Sequence, residues 1–92
     1  MLFKDVVLLH LADKEEKQEV YTRFSSKGKA DDFIEALFQL NKKGLIYVPR
    51  RAWAWGGYNR LIPEDVVMTG VKLTPLGLIQ VERLTFKNRK SL

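Results

Sequence analysis

The clearest pattern of apolar and polar positions lies in residues 30–48, which predict a helix, a glycine stop and a β-strand. At about 100° per residue, the apolar positions share one broad arc of the helix. These positions are Ala30, Phe33, Ile34, Ala36, Leu37, Phe38 and Leu40. Acidic residues open this helix and lysines close it, as the helix dipole favours. Gly44 fits the left-handed position after the last turn, and the β-favouring residues 45–48 follow.

Two further helices are predicted near the ends of the chain. The first covers residues 2–12, and the last runs from Pro75 to about Phe86, with Thr74 as its N-cap and proline at its first position. Apolar residues are spread around most of both helices, which implies burial on more than one side. The polar, basic tail at about 87–92 is expected to fray.

The segment between the first and third helices is less regular. Residues 13–18 form a charged break, in which Asp13 could cap the element that follows. The apolar residues of 19–24 fit one face of a helix or one face of a strand, and we favour a short helix. A turn follows, and Ser26 is a candidate cap for the third helix.

The second half of the chain predicts a β-hairpin. The strand at 45–48 is followed, after a long aromatic and basic tip, by a second strand at 66–74 that Gly70 could interrupt. Trp53 and Trp55 are two positions apart and would point to the same side of an extended chain. The predicted fold class is therefore α+β, with a single domain over residues 1–92.

Two stretches, ALFQLNKKGLIYV (residues 36–48) and VKLTPLGLIQV (residues 71–81), resemble the winged-helix (winged helix-turn-helix) superfamily. The first is similar to the junction between third helix and wing, and the second to the entry of the C-terminal helix. The resemblance implies a three-helix core, a β-hairpin wing and a C-terminal helix. It also implies DNA binding, with the third helix (residues 30–43) in the major groove.

The charge distribution favours the wing over the third helix as the nucleic-acid-binding element. The formal net charge is +5; residues 1–47 carry eight Lys or Arg and eight Asp or Glu, whereas residues 48–92 carry eight against three. A positive field favours polyanions. Asp31, Asp32 and Glu35, however, occupy the exposed start of the third helix, where they would repel phosphates.

The candidate nucleic-acid-binding residues are therefore mainly in the wing. They are Arg50, Arg51, Trp53, Trp55, Tyr58, Arg60 and Lys72, with Lys27, Lys29, Lys42 and Lys43 around the third helix. The basic residues Arg83, Lys87, Arg89 and Lys90 could extend the same field. Arginines pair with phosphates, and aromatic rings stack on unpaired bases.

Two other interpretations of the tryptophans remain open. Trp53 and Trp55 could fold back on the core, since tryptophan is usually well buried. They could instead anchor a protein partner. The leading hypothesis is a small DNA-binding protein, a transcriptional regulator or phage-type accessory factor; the alternative is a protein-interaction module without nucleic-acid binding.

The residue content argues against several other classes. The chain has no cysteine, which excludes disulfides, thiolate metal sites and thiol catalysis, and its one histidine, His10, is expected to be structural. Gly56 and Gly57 lack the lysine of a P-loop. We expect no enzyme activity, cofactor or metal. There is no apolar run of about 20 residues for a membrane span, nor a signal-peptide pattern, so a cytoplasmic location is expected.

The two terminal helices raise the question of oligomeric state. Both are apolar around most of their circumference, and a homodimer through residues 2–12 and 75–86 would bury the remainder. A compact monomer could instead sandwich one of the two helices.

Overall fold

The computed structural model describes residues 2–13, 16–56 and 61–90, with side chains to residue 87. In sequence order, three helices precede a β-hairpin and a fourth helix follows it. The helices are α1 (Phe3–Ala12), α2 (Lys17–Ser26), α3 (Ala30–Lys42) and α4 (Pro75–Lys90). The strands are β1 (Ile46–Tyr47), β2 (Trp53–Ala54), β3 (Asp65–Val66) and β4 (Lys72–Leu73), with a 3-10 turn at Arg50–Ala52. The α+β class predicted from the sequence is confirmed.

The core is built around α1 and α3. Their fully buried residues include Leu8 and Leu11 of α1 and Phe33, Leu37 and Leu40 of α3. The broad apolar arc predicted for residues 30–40 is thus the face that α3 buries. Because α1 also packs against α2, α4 and β4, its apolar residues are covered from several directions.

Glycines end α2 and α3 in the same way. Gly44 follows α3 with φ +74°, and Gly28 follows α2 with the same angle. After α3, the Gly44 N–H donates to the Asn41 carbonyl at 3.1 Å and the Leu45 N–H donates to the Leu40 carbonyl at 3.0 Å. This Schellman arrangement satisfies the last carbonyls of the helix and turns the chain into β1. The glycine stop predicted from the sequence is confirmed.

The end of α3 and the start of α4 are joined through Thr74. Its hydroxyl accepts the Gly77 N–H at 3.0 Å, as an N-cap does, and donates to the Gly44 carbonyl at 2.5 Å. The Thr74 N–H donates to the Leu45 carbonyl at 3.1 Å. A Cβ on Gly77 would lie 1.9 Å from that same Leu45 oxygen. The two stretches noted for their winged-helix resemblance therefore meet in space, and a glycine is required at their contact.

The four strands form one antiparallel hairpin in two separate ladders. The pairs are Ile46 with Leu73, Tyr47 with Lys72, Trp53 with Val66, and Ala54 with Asp65. The stretches between the two ladders, residues 48–52 on one arm and 67–71 on the other, are equal in length, so both ladders keep the same register. The 3-10 turn occupies one of these stretches, and Gly70, at φ +86°, lies in the other. The interruption predicted at Gly70 is confirmed.

Several predicted boundaries and caps are wrong. The helix expected at 19–24 spans Lys17–Ser26 and begins after Glu16, whereas Asp13 ends α1. Ser26 closes α2, with its hydroxyl donating to the Thr22 carbonyl, and α3 has no side-chain cap. The C-terminal helix continues to Lys90, since its basic residues are good helix formers and no Gly or Pro stops it. The strands are shorter than predicted, because the 3-10 turn and Gly70 interrupt them.

None of the helices in the described ranges combines the length and the apolar character that crossing a membrane would require.

Candidate functional site

An aromatic cluster joins the outer side of α3 to the hairpin. The ring of Phe38 meets Trp53 edge-on at a centroid distance of 5.6 Å and Trp55 edge-on at 5.8 Å. Trp53 is half-buried and packs on the core, whereas 52% of Trp55 is exposed. The two tryptophans therefore lie in different environments. One tryptophan supports the hairpin, as the core-packing interpretation holds, and the other presents its ring to solvent.

A cation lies beside this cluster. The Lys42 Nζ is 4.7 Å from the centroid of the Phe38 ring, within the range of a cation–π contact. Asp31, Glu35, Phe38 and Lys42 are spaced three or four residues apart and therefore form one outward ridge of α3. The two acidic residues lie one to three turns before the other two. The ridge is thus acidic at its start and basic and aromatic at its end.

Arg50 and Arg51 lie in the 3-10 turn of the hairpin. Pro49 precedes the turn, Ala52 is buried at its end, and both arginines are exposed. Because Ala52 anchors the turn, the arginines are held outward on a short, defined segment. Trp53 follows directly, so Arg51 lies at most about 7 Å along the chain from the aromatic cluster.

A second aromatic–cation pair lies at the base of the hairpin. Tyr47 and Lys72 are cross-strand partners, and the Lys72 Nζ lies 5.5 Å from the centroid of the tyrosine ring. Both side chains are exposed. The cationic and aromatic residues on the outer side of the hairpin and of the last turns of α3 are together called the hairpin surface below. The hairpin surface consists of Phe38, Lys42, Tyr47, Arg50, Arg51, Trp55 and Lys72.

The other predicted binding residues lie elsewhere. Lys29 is at the start of α3, about 20 Å from Lys42 along the helix, with its Nζ 5.7 Å from the Phe3 ring centroid. Lys27 lines a shallow cleft with acidic residues of α2. Lys43 lies beside Lys4 of α1, whose ammonium group lowers the pKa of Lys43.

Two of the predicted wing residues, Tyr58 and Arg60, lie outside the described residues, as do the side chains of Arg89 and Lys90. Arg83 and Lys87 are exposed on α4, which contacts α1 and β4.

A hydrogen bond ties the hairpin to α2. The Tyr21 hydroxyl donates to Asp65 Oδ1 at 2.6 Å, and the Val66 N–H donates to the same oxygen at 2.8 Å. Burial, followed by the hydrogen bond and the negative charge of Asp65, raises the pKa of Tyr21 to about 12. The tyrosine ring also packs edge-on against Phe33 at 5.3 Å. This contact fixes the β2–β3 ladder of the hairpin relative to α2 and α3.

Sequence reasoning missed the contributions of Phe38, Tyr47 and Tyr21. Phe38 belongs to the predicted apolar arc of α3, but it lies at the edge of that arc and can therefore reach the hairpin. Tyr47 alternates with the buried Ile46, a strand pattern that places it outward. No local pattern indicates the Tyr21–Asp65 contact, because the two residues are 44 positions apart.

His10 is half-buried, with its ring edge-on to Phe24 at a centroid distance of 5.4 Å. In residues 2–13, 16–56 and 61–90, no three or more His, Cys, Asp or Glu side chains are grouped so that they could hold a metal ion.

The two terminal helices differ in what covers them. Helices α2, α3 and α4 and strand β4 pack around α1. On α4, by contrast, Leu76, Leu78 and Ile79 are 52%, 54% and 46% exposed. The dimer hypothesis therefore narrows to the outer face of α4.

Comparisons of the chain with protein-family models, curated proteins and solved structures found no match. Inferences about function therefore rest on the side chains and their geometry.

Proposed function

We propose that this chain is a small, non-enzymatic winged-helix protein that binds nucleic acid, DNA in the first instance, through the hairpin surface. The order of three helices, a hairpin and a fourth helix supports the winged-helix assignment. The hairpin then takes the role of the wing, and α3 takes the position of the recognition helix. Gene regulation or an accessory role in phage biology would follow from such binding.

The observation that carries this proposal is the placement of Arg50 and Arg51. Both are exposed on a turn that Ala52 anchors, between the Tyr47–Lys72 pair and the tryptophans. Arginine donates two parallel hydrogen bonds to a phosphate, and a fixed turn reduces the entropy lost on binding. Exposed cations therefore flank the aromatic rings on the hairpin, as a backbone-tracking surface requires.

The start of α3 does not fit ordinary major-groove readout. In the winged-helix arrangement this end would approach the bases, but Asp31, Asp32 and Glu35 are all exposed there. Carboxylates facing phosphates oppose binding. We therefore assign α3 a supporting role, with its last turn contributing to the hairpin surface.

The test is binding of a labelled duplex and of its separate strand, measured by fluorescence anisotropy at low salt. Replacing Arg50 and Arg51 by alanine should weaken binding by about tenfold or more, because it removes two phosphate contacts. Lys27→Ala with Lys29→Ala is the matched control, since it removes the same charge from exposed positions away from the hairpin. Absence of binding at low salt, or equal losses in both variants, would contradict the proposal.

A protein-interaction module is the second candidate, and the exposure of Trp55 favours it. A half-exposed tryptophan beside other aromatic rings has the composition of an interface hot spot. The same binding experiment separates the two candidates, because a protein anchor predicts no affinity for nucleic acid and little dependence on salt.

A further inference from the structure

The outward ridge of α3 is acidic at its start and basic at its end. At its start Asp31 and Glu35 are exposed, and at its end Lys42 lies over the ring of Phe38. A duplex docked with α3 in its major groove would place these carboxylates between two phosphate backbones. A single strand that follows only the hairpin avoids them. The distribution of charge along one helix thus favours a ligand narrower than a duplex.

Trp55 is the group that an unpaired base could use. It is 52% exposed, and its contact with Phe38 is edge-on, with an angle of 82° between the ring planes. An edge-on contact covers less of a ring than stacking does, and it still holds the ring in a defined position. Trp53 is unsuitable for this role because it is half-buried and packs on the core.

Cations are available near this ring in the fold and in the sequence. Lys42 reaches Phe38, which is in direct contact with Trp55, and Arg51 precedes Trp55 by four positions. Sequence-tolerant binding of single strands uses this combination, in which bases stack on aromatic rings and lysine or arginine neutralises the backbone.

We infer that the hairpin surface binds single-stranded nucleic acid, with one unpaired base stacked on Trp55 and the adjoining phosphates held by Lys42, Arg50 and Arg51. This inference rests on the proposed function and gives its ligand class. In this arrangement a base stacks at the junction of α3 and the hairpin, and α3 does not read bases in a groove.

The experiment compares three ligands of one mixed sequence, each about 12 nucleotides long, within the site sizes of single-strand binders. They are a DNA strand, the RNA strand of the same sequence, and the DNA duplex. Anisotropy titrations should show that a single strand binds at least about tenfold more tightly than the duplex, the value of one stacked base. The relative affinities of the DNA and RNA strands identify which of them is the preferred source of the unpaired base.

The two tryptophans allow a sharper readout, because the chain contains only these two. Trp53→Phe leaves Trp55 as the sole indole, and Trp55→Phe leaves Trp53; both retain an aromatic ring on Phe38. Saturation with the strand should quench the emission of the Trp53→Phe variant and leave that of the Trp55→Phe variant nearly unchanged. Trp55→Ala should weaken strand binding by about tenfold while changing duplex binding by less than about twofold. Far-UV circular dichroism checks that each variant is folded.

The outcomes distinguish the inference from the proposed function. Preference for a strand together with quenching of Trp55 supports both. Equal or tighter binding of the duplex, or binding of the strand without quenching of Trp55, overturns the inference and leaves nucleic-acid binding intact. Failure of the folded wild-type protein to bind any of the three ligands at low salt overturns both.

Discussion

Replacement of Gly77 by alanine tests the contact between α4 and the end of α3. The new Cβ would lie 1.9 Å from the carbonyl oxygen of Leu45 and 2.9 Å from its carbonyl carbon. Both atoms belong to the backbone, so no side chain can rotate away. The first turn of α4 must retreat by more than an ångström. That movement would also disturb the Thr74 hydrogen bonds to Gly44 and Leu45.

The expected magnitude combines opposing effects. Overpacking costs about 1–3 kcal/mol and two weakened hydrogen bonds about 2 kcal/mol, while alanine gains about 1 kcal/mol of helix propensity over glycine. We therefore expect Gly77→Ala to lower the free energy of unfolding by about 2–4 kcal/mol. For a domain of this size the midpoint of thermal unfolding should fall by at least about 8 °C.

The assay is urea unfolding followed by tryptophan fluorescence and by circular dichroism. Gly28→Ala is the control, because a Cβ there meets nothing within 4 Å and only the left-handed angle of φ +74° is strained. That strain alone should cost about 1–2 kcal/mol. If Gly77→Ala is as stable as the wild type or more stable, the close approach of the two backbones is refuted, since an uncrowded helix should gain from the change.

Two other predictions concern the tether to α2 and the outer face of α4. Tyr21→Phe should lower the free energy of unfolding by about 0.5–1.5 kcal/mol through loss of the hydrogen bond to Asp65, whereas Tyr47→Phe should change it little. Because the pKa of Tyr21 is raised from 10.0 to about 12, its contribution should be complete below pH 10.0 and lost as the pH rises towards 12; a difference between wild type and Tyr21→Phe that does not shrink over this interval in urea titrations would contradict this. Light scattering at high concentration should show a homodimer that Leu78→Ser with Ile79→Ser dissociates; a monomeric wild type would exclude a dimer through α4.

Local patterns in the sequence are sufficient to predict most of the helices and the hairpin. Residues 30–44 combine an apolar arc, charges matched to the helix dipole and a glycine stop, and α3 has these bounds within a residue or two. Thr74 and Pro75 similarly located the start of α4. These features depend on neighbours within a few positions, which is why a single sequence reveals them.

Features that depend on distant contacts could not be predicted in the same way. Gly77 resembles an ordinary helical glycine until Leu45 is placed against it. The division between Trp53 and Trp55 depends on the 3-10 turn before them and on the position of Phe38. The sequence alone groups Lys42 with Lys43, but Lys43 lies beside Lys4 of α1, away from the hairpin surface.

The most direct test of the central claim is the salt dependence of nucleic-acid binding. The logarithm of the association constant should fall linearly with the logarithm of salt concentration, by about 0.7 per phosphate contact for a single strand and about 0.9 for a duplex. Arg50→Ala with Arg51→Ala should reduce the magnitude of this slope by about 1.4 for a strand or about 1.8 for a duplex, and Lys27→Ala with Lys29→Ala should leave it nearly unchanged. A slope near zero for the wild type, or one that the arginine replacements do not change, would contradict binding through the hairpin surface.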